Sequence, residues 1–168
     1  MRVNKWGNHG WEFLHTTTFN YPLEPSENDK INYKTLMTSL NYTLPCIYCQ
    51  NSMTIYSKYI PIDNYLDDRN GLTYWLYIIH NLVNSKLGKE TISFFDVIKK
   101  YESYRAKCGR MTNENKKEIL TCQIKAENID DYFIEKIYNE TINKYSNMTI
   151  DFLRNLHHAE DNPNKCSK

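Results

Sequence analysis

The sequence predicts an all-α fold, a bundle of four helices plus a short fifth helix, followed by a helical extension. Two observations predict it. The 168 residues include only 5 Gly and 5 Pro, fewer than a turn-rich β fold needs. Apolar residues recur at intervals of three and four, most regularly from Leu72 to Leu87, which is the period of a helix buried on one face. A chain of this length is long enough to bury a core.

The first two helices are predicted on either side of a proline-containing connection. Apolar residues within 4–21 share one helical face, and Pro22 ends that helix. Ser26, Asn28 and Asp29 are capping candidates for a second helix over about 30–42.

The third helix carries two cysteines at its start. Pro45 precedes Cys46 and Cys49, and the helix is expected to run from Cys46 to about Tyr59, because Pro61 blocks its continuation. Two thiols at this spacing can open and close a disulfide. The positive end of a helix lowers the pKa of a cysteine there, so the position favours redox chemistry.

The fourth helix is predicted over 68–87 and ends at Gly88, a residue that suits a helix carboxyl terminus. A shorter fifth helix follows over about 93–106. We therefore predict a first domain at 1–105 and an extension at 106–168. The extension shows looser helical patterns at 113–125, 129–145 and 148–158, and its last ten residues have the composition of a disordered tail.

Composition narrows the functional class. A formal net charge of +1 argues against a nucleic-acid-binding protein, which concentrates a basic face. No apolar run approaches the roughly 20 residues that span a bilayer, and no apolar signal region follows Met1. We therefore expect a cytoplasmic protein. Five cysteines without a signal peptide favour redox or metal chemistry over a secreted disulfide scaffold.

Polar side chains interrupt the apolar faces of two helices. His80 and Asn84 lie four residues apart on the fourth helix, as do Trp11 and His15 on the first. One interpretation is a hydrogen-bonded core network. The other is a site for a planar heteroaromatic ligand that needs stacking and hydrogen bonds. The cations that could meet its phosphates are Lys86 and Lys89.

These residues belong to motifs that resemble a known family. The motifs are WGNHGW at 6–11, Leu14-His15, PCIYC at 45–49 and HNLVNSKLGK at 80–89. In order and spacing they resemble the Erv/ALR family of FAD-linked sulfhydryl oxidases. The resemblance covers about residues 4–105 and leaves the extension unexplained.

The resemblance implies a helical bundle, usually a homodimer, that holds FAD beside the dithiol. It also implies that Cys46 and Cys49 are the catalytic pair and that no metal takes part. The residues that it places at the flavin are Gly7, Asn8, Trp11, His15, His80, Asn81, Val83, Asn84, Lys86 and Lys89, with Lys100 and Tyr101 where the family typically has an Arg-Trp pair.

The resemblance also implies a mechanism and partners. A substrate thiolate attacks the Cys46–Cys49 disulfide at Cys46, Cys49 leaves and reduces the flavin, and molecular oxygen becomes hydrogen peroxide. The expected electron donors are protein dithiols or a thioredoxin-like relay protein.

Two departures from the family pattern are expected to matter. Cellular members carry a structural disulfide whose cysteines would fall at Tyr77 and Phe94, so packing is expected to replace it here. The chain is also expected to lack the amino-terminal extension with a shuttle cysteine pair that many members carry. Both features resemble the versions encoded by large cytoplasmic DNA viruses, which would place the protein in the host cytoplasm or the virion.

Three other functions compete with the oxidase. A structural zinc module could use the dithiol with Cys108 and Cys122, although thirteen residues between those two is not a usual ligand spacing. A thioredoxin-like reductase would need βαβ patterning, which the sequence lacks. A helical interaction protein could carry the CxxC incidentally.

The remaining cysteines and the extension have open roles. Cys108 and Cys122 could form a structural disulfide, Cys166 could shuttle electrons, or each could be a merely tolerated thiol. We expect the extension to pack as an accessory helical domain that presents protein substrate, or Cys166, to the dithiol.

Overall fold

A computed structural model of the chain describes residues 1–112, 118–125 and 129–160. The predicted all-α class and helical bundle are confirmed. The helical elements are α1 (Val3–Phe19), α2 (Glu27–Thr43), α3 (Ile47–Tyr59), a 3-10 helix (Ile62–Tyr65), α4 (Arg69–Lys86), α5 (Phe94–Glu102) and α6 (Asp131–Glu160). The first five α-helices match the predicted ones, with boundaries that differ by at most four residues.

Local capping explains where these helices begin and end. The Ser26 hydroxyl accepts a hydrogen bond from the Asp29 backbone N–H, and the Asp29 carboxylate accepts one from the Ser26 backbone N–H, which forms a capping box at the start of α2. Gly88 has φ +64°, and its N–H donates to the Ser85 carbonyl. The left-handed backbone conformation of Gly88 ends α4 at the position that the sequence predicted.

The core is organised around α4, which packs against α1, α3, α5, α6 and the 3-10 helix. Its apolar stripe, which includes Leu72, Leu76 and Ile79, is fully buried. Trp75 is also buried, and its indole Nε1 donates to the Ile60 carbonyl at 2.9 Å. The carboxyl-terminal half of α4 faces α1 and the first turns of α3.

The extension contains a β-hairpin that the sequence analysis missed. Strands β1 (Ala106–Thr112) and β2 (Glu118–Lys125) pair antiparallel. The helix predicted over 113–125 is therefore wrong for 118–125, and 113–117 lie outside the described residues. Ile119, Thr121 and Ile124 are β-branched, and such residues favour strands.

The rest of the extension is one long helix. The two helices predicted at 129–145 and 148–158 are a single element, α6, which packs against α3, α4 and α5. Ile134, Tyr145 and Leu156 are buried along it. The helix is therefore part of the bundle core, although the domain boundary at residue 105 stays a prediction. The predicted disordered tail falls largely on residues 161–168, outside the described part of the chain.

Aromatic side chains join α4, α5 and α6 around Tyr77 and Phe94, the two positions where packing was expected to replace the family's structural disulfide. The rings of Tyr77 and Phe94 lie 5.1 Å apart between centroids. Tyr74 contacts Phe94 edge-on at 4.9 Å, and Tyr138 of α6 lies 6.3 Å from Phe94. These contacts connect the two positions without a covalent bond.

Candidate active site

The two cysteines sit at the amino terminus of α3. Cys46 is the N-cap residue, and its carbonyl accepts hydrogen bonds from the Cys49 and Gln50 backbone N–H groups, both at 3.0 Å. The Gln50 side chain donates to the Leu44 carbonyl at 2.7 Å. These bonds hold the segment before Cys46 against the first turn of α3, so both thiols are at the predicted helix start.

The two thiols have different acidities in the reduced state. The hydrogen bond from the Cys49 thiol lowers the pKa of Cys46, with further help from backbone N–H groups. Burial raises the pKa of Cys49 to about 11, and the hydrogen bond to Cys46 adds to that rise. Cys46 is therefore the more acidic thiol of the reduced pair, and Cys49 donates the hydrogen bond that favours its thiolate form.

A cavity of about 720 Å³ lies beside the dithiol, between α1, α2, α3 and the carboxyl-terminal half of α4. This volume is within the range of sites for cofactors and small molecules. Both Cys46 and Cys49 line it. The other predicted site residues in its lining are Gly7, Asn8, Trp11, His80, Val83, Asn84, Lys86 and Lys89.

Stacked rings form one wall of the cavity. The Trp11 and His80 rings are nearly parallel, with centroids 3.9 Å apart. His80 Nδ1 lies 3.0 Å from His15 Nε2, and the His15 ring stacks on Tyr101 at 4.8 Å. Burial lowers the pKa of His15 to about 3 and that of His80 to about 4. Both imidazoles are therefore neutral at physiological pH.

Four predicted site residues lie outside the cavity lining. His15 is fully buried behind His80. The Asn81 amide pairs with the backbone N–H and carbonyl of Ile92 and so fixes the loop after α4. Lys100 forms an ion pair with Glu12 at 2.8 Å, and its ammonium lies over the Tyr101 ring. His15 and Tyr101 thus support the wall, whereas Asn81 and Lys100 hold neighbouring segments.

The cavity also has residues that sequence reasoning missed. Trp6 lines it, and the Trp6 indole Nε1 is buried without a hydrogen-bond partner in the described parts of the chain. Leu36 and Leu40 of α2 and Ser52 of α3 complete the wall. Ser52 could have been found from its position one helical turn after Cys49. No sequence signal marked α2 as a contributor.

The lining suits a large, partly apolar, anionic cofactor. Its exposed surface is mainly apolar, and two lysines reach it, whereas none of the described residues that line it carries a carboxylate. Trp6 Nε1 is a donor with no acceptor among the residues that the structure describes, and buried donors normally have one. A planar ligand with ring acceptors and phosphates would satisfy these groups.

The zinc alternative is not favoured. Within the described parts of the chain, no group of three or more His, Cys, Asp or Glu side chains is placed to hold a metal ion. Cys122 is disulfide-bonded, which removes its thiolate as a ligand. The backbone register places Cys108 at an irregularity in β1 opposite the Cys122 region of β2. Cys166 lies outside the described residues.

Among the described residues, no helix combines the length and the apolar character that a bilayer span requires.

Comparison with known proteins finds a family match and several relatives. The Erv1 / Alr family profile matches residues 8–105. The probable FAD-linked sulfhydryl oxidase of Acanthamoeba polyphaga mimivirus is 37% identical over 103 residues, 61% of this chain and 72% of the viral protein. The FAD-linked sulfhydryl oxidase ERV1 of Arabidopsis thaliana is 34% identical over 79 residues, 47% of this chain and 40% of the plant protein.

A solved structure shares the fold. The crystal structure of the yeast Erv1 core superimposes with a TM-score of 0.57 and 25% sequence identity, covering 60% of this chain and 84% of that one. The family match contains the dithiol and the whole of α4 but ends at residue 105. It therefore includes every wall of the cavity except the first residues of α1, and it leaves out the hairpin and α6.

Proposed function

This chain belongs to the Erv1 / Alr family, and from that premise we propose that it is an FAD-dependent sulfhydryl oxidase that forms disulfides in protein substrates. The observation that carries the proposal is the placement of Cys46 and Cys49 in the wall of the cavity that the family motifs line. A dithiol at the edge of such a site can pass electrons directly to a bound acceptor.

The proposed cofactor-binding residues are those that line the cavity. Trp11 and His80 offer ring faces and Trp6 offers an unpartnered N–H, while Lys89 at the end of α4 supplies positive charge for the diphosphate. Gly7, Asn8, Val83 and Asn84 complete the set. FAD, when bound, supplies a two-electron acceptor that molecular oxygen reoxidises to give hydrogen peroxide.

The protein's own chemistry is thiol–disulfide exchange. A substrate thiolate attacks Cys46 Sγ of the oxidised pair, a new S–S bond joins substrate to Cys46, and Cys49 leaves with the electron pair. The second substrate thiolate then displaces Cys46. Because the Cys49 hydrogen bond lowers the pKa of Cys46, Cys46 is the better leaving group in that second step.

The first test is whether the purified protein carries FAD and oxidises dithiols. Acid precipitation of the yellow protein is expected to release FAD. Cys49→Ser is expected to abolish oxidation of a small dithiol, and Cys46→Ser is expected to abolish it while FAD stays bound. Cys122→Ser, at a cysteine that does not line the cavity, serves as the cysteine control and should keep the activity. A folded protein that stays colourless after incubation with FAD would contradict the proposal.

The proposed electron donors are protein dithiols, presented directly or through a thioredoxin-like relay protein. The side chains of Ile47 and Tyr48, between the two cysteines, are exposed, so an extended segment of a substrate protein can reach Cys46 without rearrangement of α3.

The proposed location is the cytoplasm of an infected host cell or the virion. The similarity to the mimivirus protein supports this location.

We also propose that the protein is a homodimer through α1 and α2. Phe13 is 62% exposed and Leu36 is 37% exposed, and both lie at the edge of the cavity. Exposed apolar side chains beside a functional site are typical of an interface. Equilibrium sedimentation is expected to show a dimer that Phe13→Asp converts to a folded monomer. Tyr132→Asp, at an even more exposed aromatic residue of α6, should leave the dimer intact, and a monomeric parent protein would refute the interface.

A further inference from the structure

Lys86 is tied to the dithiol segment by a serine. Its Nζ donates to Ser52 Oγ at 2.6 Å. The Ser52 hydroxyl in turn donates to the Tyr48 carbonyl at 2.9 Å, and Tyr48 lies between the two cysteines. Because the hydroxyl proton is used in that bond, Ser52 presents an acceptor lone pair to the ammonium. The last turn of α4 is thus joined to the first turn of α3 at this point.

The tie places a positive charge on the Cys49 side of the cavity. Ser52 lies three residues after Cys49, on the same helical face, and Lys86, Ser52 and Cys49 line one cavity. The charge of Lys86 lowers the pKa of the Cys49 thiol, against the larger opposing effect of burial. The other groups that act on this thiol are Cys46, which raises its pKa, and the amino group of Met1, which lowers it.

We propose that Lys86, held in place by Ser52, stabilises the Cys49 thiolate that forms when the Cys46–Cys49 disulfide opens. This role rests on the proposed oxidase function and replaces, for Lys86, the phosphate contact expected from the sequence. In the exchange step, the substrate sulfur bonds to Cys46 Sγ, the Cys46–Cys49 bond breaks, and Cys49 takes the electron pair. A nearby ammonium makes Cys49 a better leaving group, because a leaving thiol of lower pKa departs faster.

The test measures the acidity of Cys49 without any cofactor. In full-length Cys46→Ser protein freed of flavin, iodoacetamide alkylation of the Cys49 peptide is followed by mass spectrometry across a pH series. Lys86→Met is expected to move the profile to higher pH and to slow alkylation at pH 8 about fivefold, since one pKa unit is a factor of ten in thiolate. Lys86→Arg, which keeps the charge, should restore most of the rate.

Two further variants separate this role from a general loss of charge or structure. Ser52→Ala should shift the profile in the same direction but less, because the ammonium remains without its anchor. Lys89→Met removes the other cavity lysine, which has no bond to α3 among the described contacts, and should leave the profile unchanged. High salt should narrow the gap between the Lys86→Met protein and its parent, since Lys86 is solvent-exposed.

The outcomes distinguish the inference from the oxidase function. An alkylation profile that is unchanged by Lys86→Met, or one that Lys89→Met shifts equally, overturns the inference even if the parent protein oxidises dithiols. A Lys86-dependent profile supports the placement of the charge, and the oxidase function is then judged separately by FAD release and oxygen consumption.

Discussion

Two cysteines only three residues apart have opposite electrostatic environments. Cys46 caps α3 and receives the Cys49 hydrogen bond, which lowers its pKa, whereas burial raises the pKa of Cys49. The helix start alone would favour a thiolate at either position. The asymmetry has two causes, the hydrogen bond that Cys46 receives and the burial of Cys49. It supports the proposal that Cys46 exchanges with substrate.

The histidines show why sequence alone left two interpretations open. The helical spacing pairs His15 with Trp11 and His80 with Asn84. In the structure the two histidines, 65 residues apart in the chain, contact each other, with 3.0 Å between His15 Nε2 and His80 Nδ1. His15 belongs to the buried network and His80 to the cavity wall. The core-network interpretation therefore applies to His15, and contact with a ligand stays a proposal for His80. Contacts between different helices depend on packing, which periodicity within one helix does not encode.

At the level of elements, the contact between α4 and α6 depends on a glycine. A Cβ added at Gly71 would lie 2.5 Å from Tyr145 Oη and 2.6 Å from the Tyr65 carbonyl oxygen. Asp68, which caps α4 by accepting from the Gly71 N–H, also accepts hydrogen bonds from Lys144 and Tyr145. At Gly71, the backbone of α4 therefore lies so close to Tyr145 of α6 that a larger side chain would not fit.

Gly71→Ala is expected to destabilise the protein by about 1–3 kcal/mol, through overpacking against a backbone oxygen that cannot move freely. In an open helix the same change would stabilise by about 1 kcal/mol. The midpoint of urea unfolding measures the effect. Gly10→Ala is the matched control, because its added Cβ meets nothing nearer than 3.4 Å, at the Trp6 ring. A Gly71→Ala protein as stable as its parent would contradict the fit described.

The elements that sequence predicted were those with local signals. The Ser26 capping box and the left-handed Gly88 fix helix ends within a few residues of chain, so α2 and α4 could be predicted. The strand at Glu118–Lys125 could not, since its apolar spacing also suits a short helix. The same holds for α6, which was predicted as two helices at 129–145 and 148–158 and is one uninterrupted helix, because packing against other helices outweighs weak local preferences.

At the scale of the whole molecule, α6 makes the extension a structural part of the bundle. Tyr145 stacks on Tyr65 at 5.6 Å, Thr149 shares a hydrogen bond with the Tyr65 hydroxyl at 2.8 Å, and Leu156 is 1% exposed. The 3-10 helix that carries Tyr65 lies between α3 and α4, whose other ends form the cavity. Loss of α6 would expose the core residues of α3, α4 and the 3-10 helix that it covers. We therefore expect α6 to stabilise the bundle that contains the cavity.

Leu156→Ala is expected to destabilise the entire protein by about 2–5 kcal/mol, the usual cost of a large-to-small change in a packed core. All three tryptophans, Trp6, Trp11 and Trp75, lie within residues 1–105. Their fluorescence therefore reports unfolding of the cavity-bearing bundle in response to a change in α6. We expect one cooperative urea transition, moved to lower urea, that coincides with the loss of helical circular dichroism.

The control and the functional readout decide between one folding unit and two. Arg154→Ala, at a side chain that is 71% exposed, should leave the transition within about 0.5 kcal/mol of the parent. At temperatures where the Leu156→Ala protein is partly unfolded, oxidation of a small dithiol and of a protein dithiol should fall in the same proportion, because both need the intact cavity. Two separate transitions, or a loss confined to protein substrates, would instead mean that α6 folds as an accessory domain that presents substrate to Cys46.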